Sequence, residues 1–330
     1  MHLWPEVIHI SAMKNINFTD VQAVFKRPLM NLVLESSDIH AKNFPDHQIQ
    51  ASALLSIKTG GCPENCSYCP QSAHYKTGVD KTKLMQVDDV VAAAEAAKQS
   101  GASRFCMGAA WREIKDGPEF DQVLEMITQV KSRGLEVCCT LGMLNEDQSK
   151  KLKQAGLDFY NHNIDTSRAY YEKVIQTRNY DDRLNTLAHV RSAGVNVCTG
   201  GILGMGESEE DRIAFVQELV QMQPQPESIT INTLVPTEGT PLAEQKPVDA
   251  FDVLRVIATL RILAPKSMIR LSAGRMAMSN ESQFLCFLAG ANSIFLGEKL
   301  LTSPNPLAHD DWQRMDKFGL KFSPPSAEIL

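Results

Sequence analysis

The chain has 330 residues, of which 43% are hydrophobic, and this length suits one large domain or two ordinary domains with a full apolar core. Its 33 Lys and Arg residues and 39 Asp and Glu residues give a net charge of −6, which argues against a broad nucleic-acid-binding surface. No apolar run reaches the roughly 18 to 20 residues that a membrane span requires. Residues 1–20 also lack the basic and apolar regions of a secretory signal, so we expect a cytoplasmic protein with reduced cysteines.

The chain begins with a helical region and continues as repeated helix–glycine–strand units. Residues 1–48 are predicted to form an N-terminal helical extension. Beyond them, amphipathic stretches end at a glycine and lead into a short β-rich run, as in helices that end in a left-handed cap before a parallel strand. These glycines are Gly101, Gly134, Gly156, Gly194 and Gly290. The predicted strands are 53–58, 104–107, 136–141, 158–162, 196–199, 228–232, 268–271 and 293–295.

Eight alternating β/α units predict an α/β fold, a (β/α)8 TIM barrel, over residues 49–303. An open, doubly wound sheet is the alternative, because nothing in the sequence proves that the barrel closes. Two helices are predicted to begin at the caps Asp88 and Ser208. Residues 304–330 begin Pro-rich, so we predict a short, loosely held C-terminal tail.

Three cysteines lie within eight residues, directly after the first predicted strand. Cys62, Cys66 and Cys69 have the spacing C-x3-C-x2-C. Three thiolates are one fewer than a structural zinc site or a 4Fe–4S cluster normally takes, so a cluster bound by them keeps one iron free for another ligand. A disulfide with one spare thiol and a zinc knuckle that borrows a distant ligand are the alternatives. The spacing resembles that of the radical S-adenosylmethionine (SAM) superfamily, and the resemblance implies a reaction site.

Alternation along the predicted strands gathers polar side chains on one face. Barrel interiors are usually filled by Val, Ile and Leu, so a polar lumen predicts a buried ligand. The inward-facing candidates are Cys106, Cys138, Asn161, Asn163, Asp165, Cys198, Asn232 and Arg270. Three thiols beside an arginine favour a second iron–sulfur centre over core filling, although layering by alternate strands sets Cys106 one layer apart. Cys139 and His162 have the opposite parity, and Cys286 lies in an apolar helix, so we predict structural roles for these three.

The chain resembles the biotin synthase family from about residue 52 to residue 306. The shared motifs include SIKTGGCPENCSYCPQS, YNHNIDTS, VCTGGILGMGE and RLSAGR. The resemblance implies an enzyme, usually a homodimer, that inserts sulfur into dethiobiotin with SAM as co-substrate. It also implies an electron donor protein of the flavodoxin or ferredoxin type and an iron–sulfur assembly machinery as partners.

The same resemblance assigns roles to individual residues. It implies that the 4Fe–4S cluster is bound by Cys62, Cys66 and Cys69. It implies that the 2Fe–2S cluster, the sulfur donor, is bound by Cys106, Cys138, Cys198 and Arg270. Contacts to SAM or to the substrate are implied for Tyr68, Asn163, Asp165, Arg183 and Asn232. Arg183 would bind the SAM carboxylate, and Asn232 the substrate ring.

Other interpretations remain open at the level of sequence. The glycine-rich run 200–207 predicts either a backbone cradle for SAM or a tight turn after the fifth strand. A lipoyl synthase should carry a second closely spaced cysteine triad near the N-terminus, and none precedes Cys62. An iron–sulfur electron carrier would leave Asn163, Asp165 and Asn232 without a role.

Overall fold

The computed structural model describes residues 16–324. Two helices precede the barrel, α1 (Phe18–Phe25) and α2 (Leu29–Asn43), in the region where the sequence predicts a helical extension. Residues 1–15 of that predicted extension lie outside the described part. The α1 helix begins at Asn17, whose side chain accepts a hydrogen bond from the backbone N–H of Asp20 in a capping box. Both helices pack against α9 (Ala250–Leu263) on the outside of the barrel.

Within the described residues, eight parallel strands close into a barrel. They are β1 (Gln48–Lys58), β2 (Arg104–Ala109), β3 (Glu136–Thr140), β4 (Phe159–Asn161), β5 (Asn196–Leu203), β6 (Ser228–Thr233), β7 (Met268–Leu271) and β8 (Ser293–Leu296). Each strand pairs with the next, and β1 pairs with both β2 and β8. The predicted TIM barrel is therefore confirmed, and the open sheet is wrong.

The helices between the strands cover the outer face of the barrel. They are α3 (Val87–Gln99), α4 (Pro118–Lys131), α5 (Glu146–Gln154), α6 (Arg168–Val174), α7 (Tyr180–Ser192), α8 (Glu209–Gln221) and α10 (Asn280–Leu288). All five glycines predicted to follow helices have positive φ, from 73° at Gly194 to 110° at Gly290. Ser208 caps α8 as predicted, whereas the N-cap position of α3 is held by Gln86, whose side chain makes no capping hydrogen bond. Asp88 lies in the first turn of α3, where a carboxylate complements the helix dipole.

The apolar core lies between the strands and the helices. Side chains from the outward faces of the strands are fully buried in one cluster, for example Val137, Cys139, Ile229, Ile269 and Ile294. The inward faces contribute a separate, smaller cluster of Cys106, Cys138, Phe159, Cys198, Phe295 and Leu300. Cys139 and Cys286 belong to the outer cluster, as strand alternation predicts for Cys139 and the apolar helix pattern for Cys286. The lumen is thus left to polar groups and a few apolar side chains.

The segment after residue 303 is packed against the barrel, so the predicted loose tail is wrong for residues 304–324. It forms α11 (Ala308–Phe318) and β9 (Lys321–Phe322), and β9 pairs with the start of β1. Asp311 of α11 is fully buried and accepts hydrogen bonds of 2.9 and 2.6 Å from the Nη atoms of Arg275. Arg275 lies in a short 3₁₀ helix after β7. A Pro-rich composition does not reveal an ion pair of this kind. The boundaries at residues 48 and 303 stay predictions, and residues 325–330 lie outside the described part.

None of the helices described between residues 16 and 324 combines the length and the apolarity that crossing a membrane requires.

Candidate active site

A cavity of about 250 Å³ lies in the barrel lumen, where the strands end and their following loops begin. TIM-barrel active sites lie at this end, because the loops after the strands meet there. Many of the predicted site residues line it together, namely Tyr68, Cys69, Cys106, Cys138, Asn163, Asp165, Asn232 and Arg270. The structure therefore brings residues from the cysteine loop (residues 62–69), four strands and the turn after β4 to one place.

Three cysteines from three strands lie in the lumen. Cys106 of β2 is paired in register with Cys138 of β3. The interaction between these two buried thiols lowers the pKa of Cys106 and raises the pKa of Cys138. The buried sulfur of Cys198 accepts a hydrogen bond of 3.3 Å from Asn161 Nδ2. Direct register between β2 and β3 places Cys106 beside Cys138, and the layer offset of Cys106 stays a prediction.

Arg270 of β7 is held by side chains of β1 and β8. Its Nε donates to Ser293 Oγ at 3.0 Å, and its Nη2 donates to Ser52 Oγ at 2.8 Å. The guanidinium carbon lies 4.4 Å from the ring centroid of Phe295. Among the described residues, Nη1 has no hydrogen-bond partner, so it is the nitrogen available to a bound group.

Arg104 is a second buried guanidinium beside the lumen thiols. Its Nε donates to Glu136 Oε2 at 3.1 Å, and its guanidinium carbon lies 3.5 Å from the centroid of the Phe159 ring. Its Nη1 and the Oγ of Ser228 are buried without a hydrogen-bond partner in the described chain. Neither residue lines the cavity, so these two atoms do not report on its occupant. The cavity-lining thiols and the Arg270 Nη1 atom fit an iron–sulfur cluster.

The cysteine loop follows β1. Hydrogen bonds from Cys62 N to Gln71 O and from Cys69 N to Cys66 O, both 2.9 Å, fold it compactly. Burial raises the pKa of the Cys66 thiol and raises that of Cys69 to about 12. Because a bound metal stabilises thiolates, these buried thiols suit metal ligation.

The donor set of the loop fits a cluster better than a single ion. All three cysteines are free, which removes the loop disulfide. Nowhere in residues 16–324 do three or more His, Cys, Asp or Glu side chains gather where one metal ion could bind, so the zinc knuckle finds no support. In a 4Fe–4S cluster each thiolate binds a different iron, so the sulfurs need not converge on one point.

Asp165 and Arg183 form a buried ion pair next to the cavity. Asp165 lines the cavity in a left-handed conformation, with φ of 67°, and its carboxylate accepts a hydrogen bond from Arg183 Nη2. The Nε of Arg183 donates to Tyr171 Oη at 3.0 Å. Arg183 is not part of the cavity lining. It contacts the cavity-lining Asp165 from the side away from the cavity.

Two asparagines of the cavity are held by named partners. Asn163 Oδ1 accepts from Asn161 Nδ2 at 3.3 Å. Asn232 donates from Nδ2 to the carbonyl of Gly201 at 3.0 Å and accepts from the N–H of Ala273 at 3.1 Å. His162, by contrast, is buried among helices and strands outside the lining, and burial lowers its pKa well below the usual range.

The glycine-rich run 200–207 forms the end of β5 and the turn that follows it. A Cβ atom on Gly200 would come within 1.9 Å of the carbonyl oxygen of Thr230, so only glycine fits there. The N–H groups of Gly204 and Met205 donate to the Glu207 carboxylate at 2.8 and 2.7 Å. The predicted backbone cradle is therefore wrong at these two groups, because the carboxylate that ends the run already binds them.

The sequence analysis did not identify Gln50 and Ser52, which accept hydrogen bonds from Arg270 in the lumen. The first strand was predicted to begin at residue 53, so Gln50 and Ser52 fell outside it, although both share the parity of the lumen face. Extending the alternation toward the N-terminus would have found them. Leu300–Ser303 also line the cavity, and the sequence after β8 gave no signal for this contact.

Two family profiles match the chain. Residues 56–219 match the Radical SAM superfamily, and residues 230–321 match the Biotin and Thiamin Synthesis associated domain. Among curated proteins, the chain is 54% identical to the biotin synthase of Myxococcus xanthus, over 94% of this chain and 90% of that protein. It is 55% identical to the biotin synthase of Ralstonia pickettii, over 91% of this chain and 84% of that protein.

Solved structures share the fold at low sequence identity. The crystal structure of methylornithine synthase superposes with a TM-score of 0.78 at 18% identity, covering 96% of each chain. The hydrogenase maturase HydG from Carboxydothermus hydrogenoformans superposes with a TM-score of 0.77 at 17% identity, over 95% of this chain and 77% of that chain. At such identities the likeness concerns the fold alone.

Proposed function

The chain belongs to the biotin synthase family of the radical SAM superfamily, and we propose how its residues carry out the sulfur insertion that converts dethiobiotin to biotin. SAM and iron–sulfur clusters follow from this membership. The observation that carries the residue assignments is the common cavity lined by Cys69, Cys106, Cys138 and Arg270. When bound, the clusters supply the electron that cleaves SAM and the sulfur that enters the product.

We assign the 4Fe–4S cluster to Cys62, Cys66 and Cys69. This assignment is supported by three free thiols in a loop that borders the cavity through Tyr68 and Cys69. Three ligands would leave one iron of the cluster free to bind SAM.

We assign the 2Fe–2S cluster to Cys106, Cys138, Cys198 and Arg270. Support comes from the clustering of the three sulfurs in the lumen and from the free Nη1 of Arg270. Ser52 and Ser293 fix the guanidinium of Arg270, so this ligand needs little reorganisation on binding.

The remaining residues bind and orient SAM and the substrate. We assign the SAM ribose to Asn163 and Asp165, the SAM carboxylate to Arg183, the substrate ring to Asn232, and a SAM contact to Tyr68. Arg183 and Asp165 are hydrogen-bonded to each other, so SAM binding would replace this hydrogen bond by contacts of both residues to the ligand. Asn232 is already oriented by two backbone hydrogen bonds.

The cavity also has to protect a radical from water. Leu54, Phe295 and Leu300 contribute apolar walls, which exclude solvent from the reacting carbon atoms. Among the described residues that line the cavity, Asp165 is the only carboxylate, and it is paired with Arg183. A separate acid and base are unnecessary, because the C–H bond is broken by removal of a hydrogen atom.

On family grounds we further propose a homodimer that receives electrons from a flavodoxin- or ferredoxin-type protein. An iron–sulfur assembly machinery would restore the second cluster after each turnover.

The test is anaerobic reconstitution with iron and sulfide, followed by incubation with SAM, a reductant and dethiobiotin. The expected products are methionine, 5′-deoxyadenosine and biotin. Cleavage of SAM without biotin would overturn the assigned substrate, and absence of SAM cleavage in fully reconstituted protein would overturn the assignment of the cysteine loop.

A further inference from the structure

A buried carboxylate lies inside the cysteine loop. Glu64 stands between Cys62 and Cys66 in the chain, and its side chain is 2% exposed. Its Oε1 lies 3.1 Å from Arg112 Nη1, and its Oε2 lies 3.9 Å from Arg178 Nε. The hydroxyl of Thr177 donates to Oε2. A buried carboxylate is stable only with such partners, so the loop is built around this charge.

The partners of Glu64 come from two other segments of the barrel rim. Arg112 belongs to the loop after β2, whereas Thr177 and Arg178 lie between α6 and α7. The neighbouring Asn65 strengthens the second contact, because its Oδ1 accepts from the N–H groups of Gln176 and Thr177 at 2.9 and 3.1 Å. The cysteine loop is thus fixed to the segment that leads into α7.

Charge dominates the contact between Glu64 and Arg178. Glu64 Oε1 and Arg178 Nε are both buried without a hydrogen-bond partner in the described chain. The Arg178 side chain is 7% exposed, whereas that of Arg112 is 35% exposed. Water and salt screen buried charges weakly, so Glu64 and Arg178 act on their surroundings more strongly than Arg112 does.

We propose that Glu64 and Arg178 are positioning residues that set the reduction potential of the 4Fe–4S cluster, through opposite charges placed at its loop. This inference rests on the proposed ligation by Cys62, Cys66 and Cys69. Reduction adds one electron, and therefore one negative charge, to the cluster. The nearby carboxylate disfavours that step and the guanidinium favours it, so the two residues tune the potential in opposite directions.

The experiment is a redox titration of the reconstituted holoenzyme, followed by the EPR signal of the reduced cluster. Glu64→Gln is expected to shift the midpoint potential to a more positive value, and Arg178→Gln to a more negative value. Glu227→Gln is the matched control, because Glu227 also pairs with an arginine, Arg191, at 2.5 Å, but precedes β6 at the opposite end of the barrel. The 4Fe–4S cluster of the Glu227→Gln variant is expected to have the midpoint potential of the wild type.

Opposite shifts separate tuning by charge from simple support of the loop. Unchanged potentials, or shifts of both variants in the same direction, would overturn the inference. If Glu64→Gln assembles too little cluster to titrate, Glu64→Asp keeps the charge and should titrate near the wild type. Arg178→Gln then decides alone, and the lack of a negative shift refutes the inference.

Iron and sulfide analysis distinguishes failure of the tuning inference from failure of the proposed function. If the wild-type protein assembles no 4Fe–4S cluster, the ligand assignment itself is wrong. If the wild type and all variants assemble it fully and share one potential, the ligands are correct and only the tuning role is wrong.

Discussion

Arg270 and Ser293 are register partners on neighbouring strands, and the Nε atom of Arg270 donates to Ser293 Oγ at 3.0 Å. Because both residues are 1% exposed or less, this hydrogen bond fixes the guanidinium without competition from water. Ser52 completes the arrangement from β1. The proposed cluster ligand on β7 therefore owes its orientation to serines on two other strands.

Removing the Ser293 hydroxyl should impair sulfur insertion more than SAM cleavage. Ser293→Ala removes a hydrogen bond to a charged group, worth about 1.5 to 3 kcal/mol, and so loosens Arg270. We expect roughly a tenfold loss or more in biotin formed per SAM cleaved, measured by chromatography of both products. Ser103→Ala is the control, since the buried Ser103 hydroxyl binds the backbone of Ala51 instead. Equal ratios in both variants would contradict the positioning role of Ser293.

The two groups of cysteines should separate the two half-reactions. Cys106→Ala and Cys198→Ala should retain SAM cleavage, seen as 5′-deoxyadenosine, but lose biotin formation. Cys62→Ala should lose both, because the first cluster is then incomplete. Cys139→Ala should keep both activities, since Cys139 lies in the outer core. Biotin formation at the normal rate in Cys198→Ala would show that the sulfur-donor assignment is wrong.

His40 should make the fold less stable at acidic pH. Burial, and then the charge of Arg261, lowers the pKa of His40 from 6.5 to about 4. The unfolded chain therefore binds a proton before the folded chain does, and stability falls as the pH drops from about 6.5 toward about 4, by at most about 3 kcal/mol. Denaturant unfolding at pH 7 and pH 5 should show a smaller loss for His40→Gln than for the wild type. The exposed His309→Gln should keep the wild-type loss, and a His40→Gln protein that does the same would refute the prediction.

The ion pair of Asp311 should be a main anchor of the C-terminal segment. Asp311→Ala leaves the guanidinium of Arg275 buried without its counter-charge, which costs about 3 to 5 kcal/mol. We expect a clear drop in the midpoint of thermal unfolding. Asp310→Asn, on the exposed side of the same helix, is the control and should change little. Similar midpoints for the two variants would argue against an anchored segment.

Local patterns predicted most of the fold. The helix–glycine–strand units located five of the eight barrel strands, and short β-rich runs located β1, β6 and β7. Alternation separated Cys139 from Cys106, Cys138 and Cys198. Closure of the ring could not be predicted, because the pairing of β1 with β8 joins residues more than 200 positions apart.

The supporting contacts of the site could not be predicted for the same reason. Glu64 and Thr177 meet across 113 positions, and Arg275 and Asp311 across 36. Nothing in the local sequence of the cysteine loop shows that Glu64 is buried. Its proline and its acidic and amide residues are equally typical of an exposed turn.

The pairing of β9 with Gln48 and Ile49 connects the periphery of the molecule to its centre. The same strand, one and three residues beyond Ile49, presents Gln50 and Ser52 to Arg270. Ending the chain before Lys321, or fusing a bulky tag there, would remove or disturb the pairing of β9 with β1. The disturbance would then affect the position of Arg270 in the lumen, because β1 holds its guanidinium. Affinity purification handles for this enzyme belong elsewhere.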